Sequence, residues 1–117
     1  MSEPLPHEQV RFAHNSERQF AKLLDFYGIT WEYEPRTFTL EADREGNPVQ
    51  AFTPDFYLPE ADAYIECTEM RQANTNKKNQ KVRKLRERYG EVCTILYKRD
   101  FQRLRGKYRQ RSTGSNL

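Results

Sequence analysis

Hydrophobic residues recur with a helical period near the start of the chain and again in its second half. The first stripe predicts an amphipathic helix over about residues 8–27 that Gly28 ends, and its main positions are Ala13, Phe20, Leu24 and Tyr27. A second helix is predicted over about residues 74–89, ending at Gly90. A last helix begins near Arg99 and carries Phe101 and Leu104.

Apolar and polar residues alternate between the first two helices, which predicts strands. The predicted strands cover residues 30–34, 36–40, 50–58 and 63–69, and a turn is predicted over residues 41–48. The apolar run at residues 92–97 follows a helix and predicts a buried strand that pairs parallel to an earlier one. This order of elements predicts a mixed α/β domain in which helices cover a small sheet.

The chain of 117 residues suits a single domain, which we assign to residues 1–105. Residues 106–117 form a basic C-terminal tail that has few apolar residues and can be disordered. Cys67 and Cys93 lie in predicted strands without zinc-site spacing, which is typical of buried cysteines in a reducing, cytoplasmic setting. The polar start of the chain does not resemble a signal peptide, and the apolar runs are too short for a membrane span.

Charge is divided unevenly between the two halves of the chain. Residues 1–70 hold 5 Lys/Arg and 14 Asp/Glu, whereas residues 71–117 hold 15 Lys/Arg and 3 Asp/Glu. The second half therefore predicts an anionic partner, with nucleic acid as the first candidate. The alternative is a solvated basic helix and tail.

Two acids lie inside strand-like segments, where carboxylates are usually avoided. Alternation places Asp55 with Thr53 and Tyr57, and Glu66 with Tyr64 and Thr68. If the two strands pair in antiparallel fashion, their carboxylates come within a few ångströms and repel unless a cation lies between them. A hard cation, Mg²⁺ or Mn²⁺, meets this need and is suited to phosphodiester hydrolysis. The alternative is an exposed sheet face with ordinary surface acids.

Glu17 falls inside the apolar stripe of the first helix, between Ala13, Phe20 and Leu24. A buried carboxylate needs a partner, a proton or a metal. The alternative is a glutamate at the edge of the stripe that reaches water.

The segments "SERQFAKLL", "TPD" and "ECT", in this order, resemble the PD-(D/E)XK nuclease superfamily, in particular its small phage, transposon, junction-resolving and very-short-patch-repair members. The resemblance covers about residues 16–104. It implies a restriction-endonuclease-like αβββαβ core with a small mixed sheet flanked by helices. It also implies that Asp55 and Glu66 bind the metal, that the Cys67 carbonyl completes the ligands, and that Glu17 is an additional or supporting acid.

The superfamily pattern places a lysine two residues after the glutamate, where this chain has Thr68. In some members that lysine has moved to the next helix, and Lys78 is the best substitute because it shares a side with Val82, Leu85 and Tyr89. Lys78 would assist the attacking water, or Thr68 would hold it; Gln72 is a weaker candidate for the same role. The alternative for Lys78 is a stem that covers the core while its ammonium stays in water.

The second helix also carries a basic stripe beside its apolar one. Its members, within about 60° of one another, are Lys77, Lys81, Lys84 and Arg88. A stripe with this spacing suits contacts to the phosphates of a nucleic acid, which give affinity without sequence readout. Further cations, including Arg71, Arg83 and Arg86, add to the field.

These observations predict a Mg²⁺-dependent endodeoxyribonuclease that binds DNA, needs no small-molecule cofactor or membrane, and could work as a homodimer when it cuts both strands. A catalytically degenerate nucleic-acid-binding module is the second hypothesis. A protein-interaction subunit of a recombination, transposition or phage complex, docking through the acidic half, is the third.

Overall fold

The structure is a computed structural model that describes residues 3–69, 75–104 and 106. A short 3-10 helix at Pro6–Glu8 precedes the first α-helix, α1. The elements that follow in chain order are α1 (Asn15–Phe26), β1 (Glu32–Tyr33), β2 (Phe38–Ala42), β3 (Pro48–Phe52), β4 (Phe56–Leu58), β5 (Ala63–Cys67), α2 (Asn76–Tyr89), β6 (Cys93–Leu96) and α3 (residues 98–104). The protein therefore has a mixed α/β fold.

The main sheet has four strands in the order β1-β4-β5-β6. β4 pairs in antiparallel fashion with both β1 and β5, whereas β5 and β6 are parallel. A parallel pair needs a crossover connection, and α2 supplies it between β5 and β6. The predicted parallel pairing of the last strand is thus confirmed. β2 and β3 form a separate antiparallel hairpin, whose turn includes the predicted Gly46.

Two hydrophobic clusters lie on the two faces of the main sheet. One joins α2 to the β2–β3 hairpin and to one sheet face, and it contains Phe38, Leu40, Phe52, Tyr64, Leu85 and Cys93. The other joins α1 to the opposite face and contains Phe20, Ala21, Leu24, Phe56 and Cys67. Phe101 and Leu104 of α3 pack against this second cluster, as the sequence predicts. The sheet is therefore covered on both sides by helices.

The first helix begins later than predicted. His14 has an extended backbone, so α1 starts at Asn15, and Ala13 is exposed instead of lying in the apolar stripe. Phe12 packs edge-on against Tyr33 with 4.7 Å between ring centroids, and Ala13 N–H donates to the Tyr33 hydroxyl over 3.1 Å. These contacts with β1 keep residues 12–14 out of the helix, so tertiary packing overrides the helical period.

The predicted strand over residues 50–58 is divided between two sheets. Pro54 is buried at the break, and a proline can neither donate to a ladder nor follow the dihedrals of a regular central strand. Phe52 consequently packs in the α2 cluster and Phe56 in the α1 cluster, although strict alternation would place them on one face. The break frees Asp55 from the hairpin and brings it to the start of β4.

α2 ends as predicted. Gly90 has a left-handed backbone (φ 71°) and its N–H donates to the Arg86 carbonyl over 2.8 Å. The predicted first residue of this helix, Asn74, lies outside the described residues, as do Arg71, Gln72 and, apart from residue 106, the basic tail. Within the described chain, no helix has both the length and the apolar character needed to cross a bilayer.

Candidate active site

The antiparallel pairing of β4 and β5 places Asp55 directly beside Glu66. Phe56 faces Ile65 in the register, so Asp55 and Glu66 are the next pair along the two strands. Asp55 N–H donates to Glu66 Oε1 over 3.1 Å, and Cys67 N–H donates to Asp55 Oδ2 over 2.8 Å. Each carboxylate thus accepts a hydrogen bond from the backbone of the strand opposite. The two acids are therefore held side by side at the end of the β4–β5 pair, which we call the β4–β5 ribbon.

The surroundings of Asp55 favour its protonated form. Burial raises the pKa of Asp55 to about 8, and the nearby charges of Glu66 and Glu17 act in the same direction. The hydrogen bond from Cys67 N–H and the positive charge of Lys78 lower this pKa and oppose the rise only in part. A site that disfavours a second negative charge gains from a cation, because a cation stabilises the ionised carboxylates.

Lys78 reaches this site from the first turn of α2. Its Nζ lies 3.2 Å from Glu66 Oε2 and 3.2 Å from the Cys67 carbonyl oxygen. The lysine is half-buried rather than extended into water, since 26% of its side chain is exposed. Its ammonium therefore contacts two of the three groups that the family resemblance assigns to a metal ion.

Glu17 is buried on α1 and has its own partners. The Tyr33 hydroxyl donates to Glu17 Oε1, and His14 Nδ1 lies 2.9 Å from Glu17 Oε2. Burial and the bond to Glu17 raise the pKa of Tyr33, so the phenol stays protonated and remains a donor. These contacts provide the partner that a buried carboxylate needs, while the charge of Glu17 still contributes to the raised pKa of Asp55.

Cys67 is the last residue of β5, and Thr68 follows it. Burial raises the pKa of the Cys67 thiol, so its contribution to the site is its backbone: the carbonyl accepts from Lys78 and the N–H donates to Asp55. Thr68 is buried, and its N–H donates to the Leu96 carbonyl of β6 over 3.0 Å. Thr68 also lines a cleft between the starts of α1 and α3. The threonine therefore lies at the rim of this cleft, two residues beyond Glu66 along the chain.

Two carboxylates and one backbone carbonyl meet here, and all three donors are oxygens. Oxygen donors suit hard divalent cations, and Mg²⁺ commonly takes one or two carboxylates and keeps several waters. Within residues 3–69, 75–104 and 106, no three His, Cys, Asp or Glu side chains form a group that could hold a metal ion. The donor set is therefore the Asp55–Glu66 pair with the Cys67 carbonyl, and Glu17 stands apart with its own hydrogen bonds.

No protein family model, curated protein or solved structure gives a significant match to this chain.

The basic stripe of α2 is partly engaged with the β2–β3 hairpin. Lys84 forms an ion pair with Glu41 and donates to Gln50 Oε1 over 2.9 Å. Arg88 donates to the Leu40 carbonyl over 3.2 Å, and Lys81 lies 5.9 Å from the centre of the Phe52 ring. Two of the four cations thus have hydrogen-bonding roles within the fold.

Lys77 differs from Lys84 because it is exposed, and so are Arg83, Arg86 and Arg88, although Arg88 also donates to the Leu40 carbonyl. Arg83 lies 4.0 Å from Glu87, a distance at which two exposed side chains interact weakly. The solvent-facing charge of α2 is therefore centred on these four residues, two of the predicted stripe and two beside it.

The sequence analysis does not identify the two residues that contact Glu17, which are His14 and Tyr33. His14 is three residues before Glu17, a spacing that allows contact at the start of a helix, but nothing in the pattern distinguishes it from a surface histidine. Tyr33 comes from β1, and its contact with Glu17 depends on the long-range packing of β1 against α1. The spacing could have suggested the first contact, whereas the second needs the tertiary fold.

Proposed function

We propose that the protein is a metal-dependent endonuclease that hydrolyses DNA phosphodiester bonds, with the restriction-endonuclease-like core of the PD-(D/E)XK superfamily. The observation that carries the proposal is the Asp55–Glu66 pair, held side by side by two backbone hydrogen bonds with the Lys78 ammonium in contact. The order of α1, the antiparallel β4–β5 pair, the crossover helix α2 and the parallel β6 supports the proposed core.

In this proposal Asp55, Glu66 and the Cys67 carbonyl hold Mg²⁺ or Mn²⁺. The ion would neutralise charge on the phosphate and lower the pKa of a bound water. Lys78 takes the role of the motif lysine: its ammonium offsets the charge of Glu66 and can orient a water by donating a hydrogen bond. Thr68 offers a hydroxyl at the rim of the cleft, and Glu17 raises the negative potential around the pair. The exposed cations of α2 bind the DNA backbone.

The test is a cleavage panel of plasmid, linear, branched and single-stranded DNA with Mg²⁺ or Mn²⁺. Glu66→Gln keeps an oxygen that can accept from Asp55 N–H but removes the charge, so we expect the fold to persist and cleavage to fall at least about 100-fold. Glu45→Gln, an exposed acid in the hairpin turn, is the matched control and should cut at the parent rate. Parent-rate cleavage by Glu66→Gln would show that the site is wrong.

A second candidate is a nucleic-acid-binding module that has lost its chemistry. It is favoured by the Lys78 ammonium, which already contacts the Glu66 carboxylate and the Cys67 carbonyl, and by Thr68 at the motif-lysine position. Titration calorimetry with Mg²⁺ separates the two candidates. The nuclease should bind the ion in the wild type and lose binding in Glu66→Gln, whereas the degenerate module should give no binding heat in either protein.

A further inference from the structure

A cleft of about 460 Å³ opens where β5 and β6 end, and its volume is within the range of small-ligand sites, about 300–1,000 Å³. Residues 67–69 and Leu96 line it from the sheet, and the first turns of α1 and α3 form its walls. Cys67 lines the cleft and its N–H donates to Asp55 Oδ2, so the cleft adjoins the carboxylate pair. The roles proposed above account for only Cys67 and Thr68 among its residues.

The polar groups of the cleft are mostly uncharged side chains that can hydrogen-bond, namely Asn15, Ser16, Gln19, Thr68 and Gln102. Each carboxamide offers both donors and an acceptor, which matches the neighbouring donors and acceptors on the edge of a nucleobase. Arg18 Nη2 donates to Asn15 Oδ1 over 2.9 Å, and this bond orients the Asn15 amide. The chemistry therefore suits a planar, neutral ligand with several hydrogen-bonding groups.

Three further side chains extend the match from a base to a nucleotide. Phe101 lines the cleft while packing against the α1 cluster, so its ring is a fixed surface on which a base can stack. Lys98 is exposed at the cleft and can pair with a phosphate. Glu69, also exposed, accepts hydrogen bonds when ionised and so favours a base with an exocyclic amino group over thymine.

We propose that this cleft binds one unpaired nucleotide of a DNA strand, so that the protein prefers DNA with a single-stranded flap or gap over fully paired duplex. A base inside a duplex is stacked and paired, and its edge and faces cannot enter a pocket of this size. The inference rests on the proposed function, because it names the shape of the DNA that the same site would act on.

The experiment measures binding of labelled DNA by fluorescence anisotropy in EDTA, where no divalent ion permits cleavage. A duplex with a short dC or dA flap is compared with the same duplex lacking the flap. We expect the wild type to bind the flap about tenfold more tightly and a dT flap less tightly than dC or dA. The Gln19→Ala/Gln102→Ala double variant should bind both DNAs with the affinity of the plain duplex. Circular dichroism checks that it is folded.

Gln80→Ala, at an exposed position of α2 outside the cleft, is the matched control and should keep the preference for the flap. Equal binding of flap and duplex by the wild type, or an unchanged preference in the double variant, would overturn the inference. Because binding is measured without a divalent ion, its outcome is separate from that of the cleavage assay. A protein that prefers the flap but never cuts would reject the proposed function alone.

Discussion

The β4–β5 ribbon and helix α2 use charge in opposite ways. On the ribbon, Asp55 and Glu66 are brought together by strand pairing, and backbone N–H groups hold both carboxylates in place. On α2, Lys84 and Arg88 lie against the hairpin and are satisfied there, while Lys77 faces solvent. Two acids held together in partial burial therefore indicate a candidate ligand site. Cations along a helix face can instead contact the rest of the fold, as Lys84 does, or remain exposed to solvent, as Lys77 does.

Lys78 belongs to α2 and contacts Glu66 of the ribbon, so it connects the two regions. Replacing Lys78 should have the largest effect on cleavage and on stability. Lys78→Gln removes the cation beside Glu66, so we expect cleavage to fall about 100-fold and the free energy of unfolding to fall by about 1–3 kcal/mol. The measurements are single-turnover cleavage and urea unfolding. Lys22→Gln, at an exposed position of α1, is the control and should leave both unchanged. Equal behaviour of the two variants would remove Lys78 from the site.

The raised pKa of Asp55 should appear as a dependence of stability on pH. Between about pH 4, the ordinary value for aspartate, and about pH 8, the folded protein keeps a proton on Asp55 that the unfolded chain has lost. The free energy of unfolding should therefore fall as pH rises through this range when no divalent ion is present. Asp55→Asn lacks the ionisation and should exceed the wild type at pH 8 by at least about 1 kcal/mol.

The measurement is urea unfolding at pH 5 and pH 8 in EDTA. Asp43 is a suitable control because hydrogen bonds from Asn47 lower its pKa, so Asp43→Asn should not change the difference between the two pH values. Added Mg²⁺ should stabilise the wild type most at pH 8, where Asp55 is most easily ionised. A wild-type stability that rises from pH 5 to pH 8 would contradict the assigned burial of Asp55.

The smallest effect should separate the two kinds of cation on α2. Lys84→Gln loses the ion pair with Glu41, so the free energy of unfolding should fall by about 0.5–1 kcal/mol with little change in the salt dependence of DNA binding. Lys77→Gln should leave stability unchanged and lower the slope of log affinity against log salt by about one. Affinities measured from 50 to 200 mM salt test this. A reversed pattern would show that the hairpin contact of Lys84 gives way to DNA.

The sequence predicts the fold best where a single period governs a segment. The helical stripe that includes Leu85, the stop at Gly90 and the parallel pairing of β6 are all found in the structure, whereas β6 is only partly buried. The errors occur where tertiary contacts compete with the period. Phe12 binds the aromatic cluster and keeps residues 12–14 out of the helix, and Pro54 divides one predicted strand between two sheets.

The candidate site divides in a similar way. Strand alternation and the antiparallel register suffice to place Asp55 beside Glu66, and the helical face suffices to direct Lys78 toward the sheet. The partners of Glu17 and the hairpin contacts of Lys84 arise from elements distant in sequence, so no local pattern contains them. Local geometry thus predicts the centre of the site, and long-range packing determines which surrounding charges are left for a ligand.

The two hydrogen bonds from backbone amides to the carboxylates of Asp55 and Glu66 give the candidate site a structural role as well. Asp55 accepts from the Cys67 amide and Glu66 accepts from the Asp55 amide, so the carboxylates join the ends of β4 and β5 independently of any ligand. Exchanging either acid for an apolar residue should therefore lower the free energy of unfolding even in a protein without the proposed activity. The pair should therefore be retained for stability even where catalysis is absent. Its presence in a related chain would indicate the same fold, but not by itself the same activity.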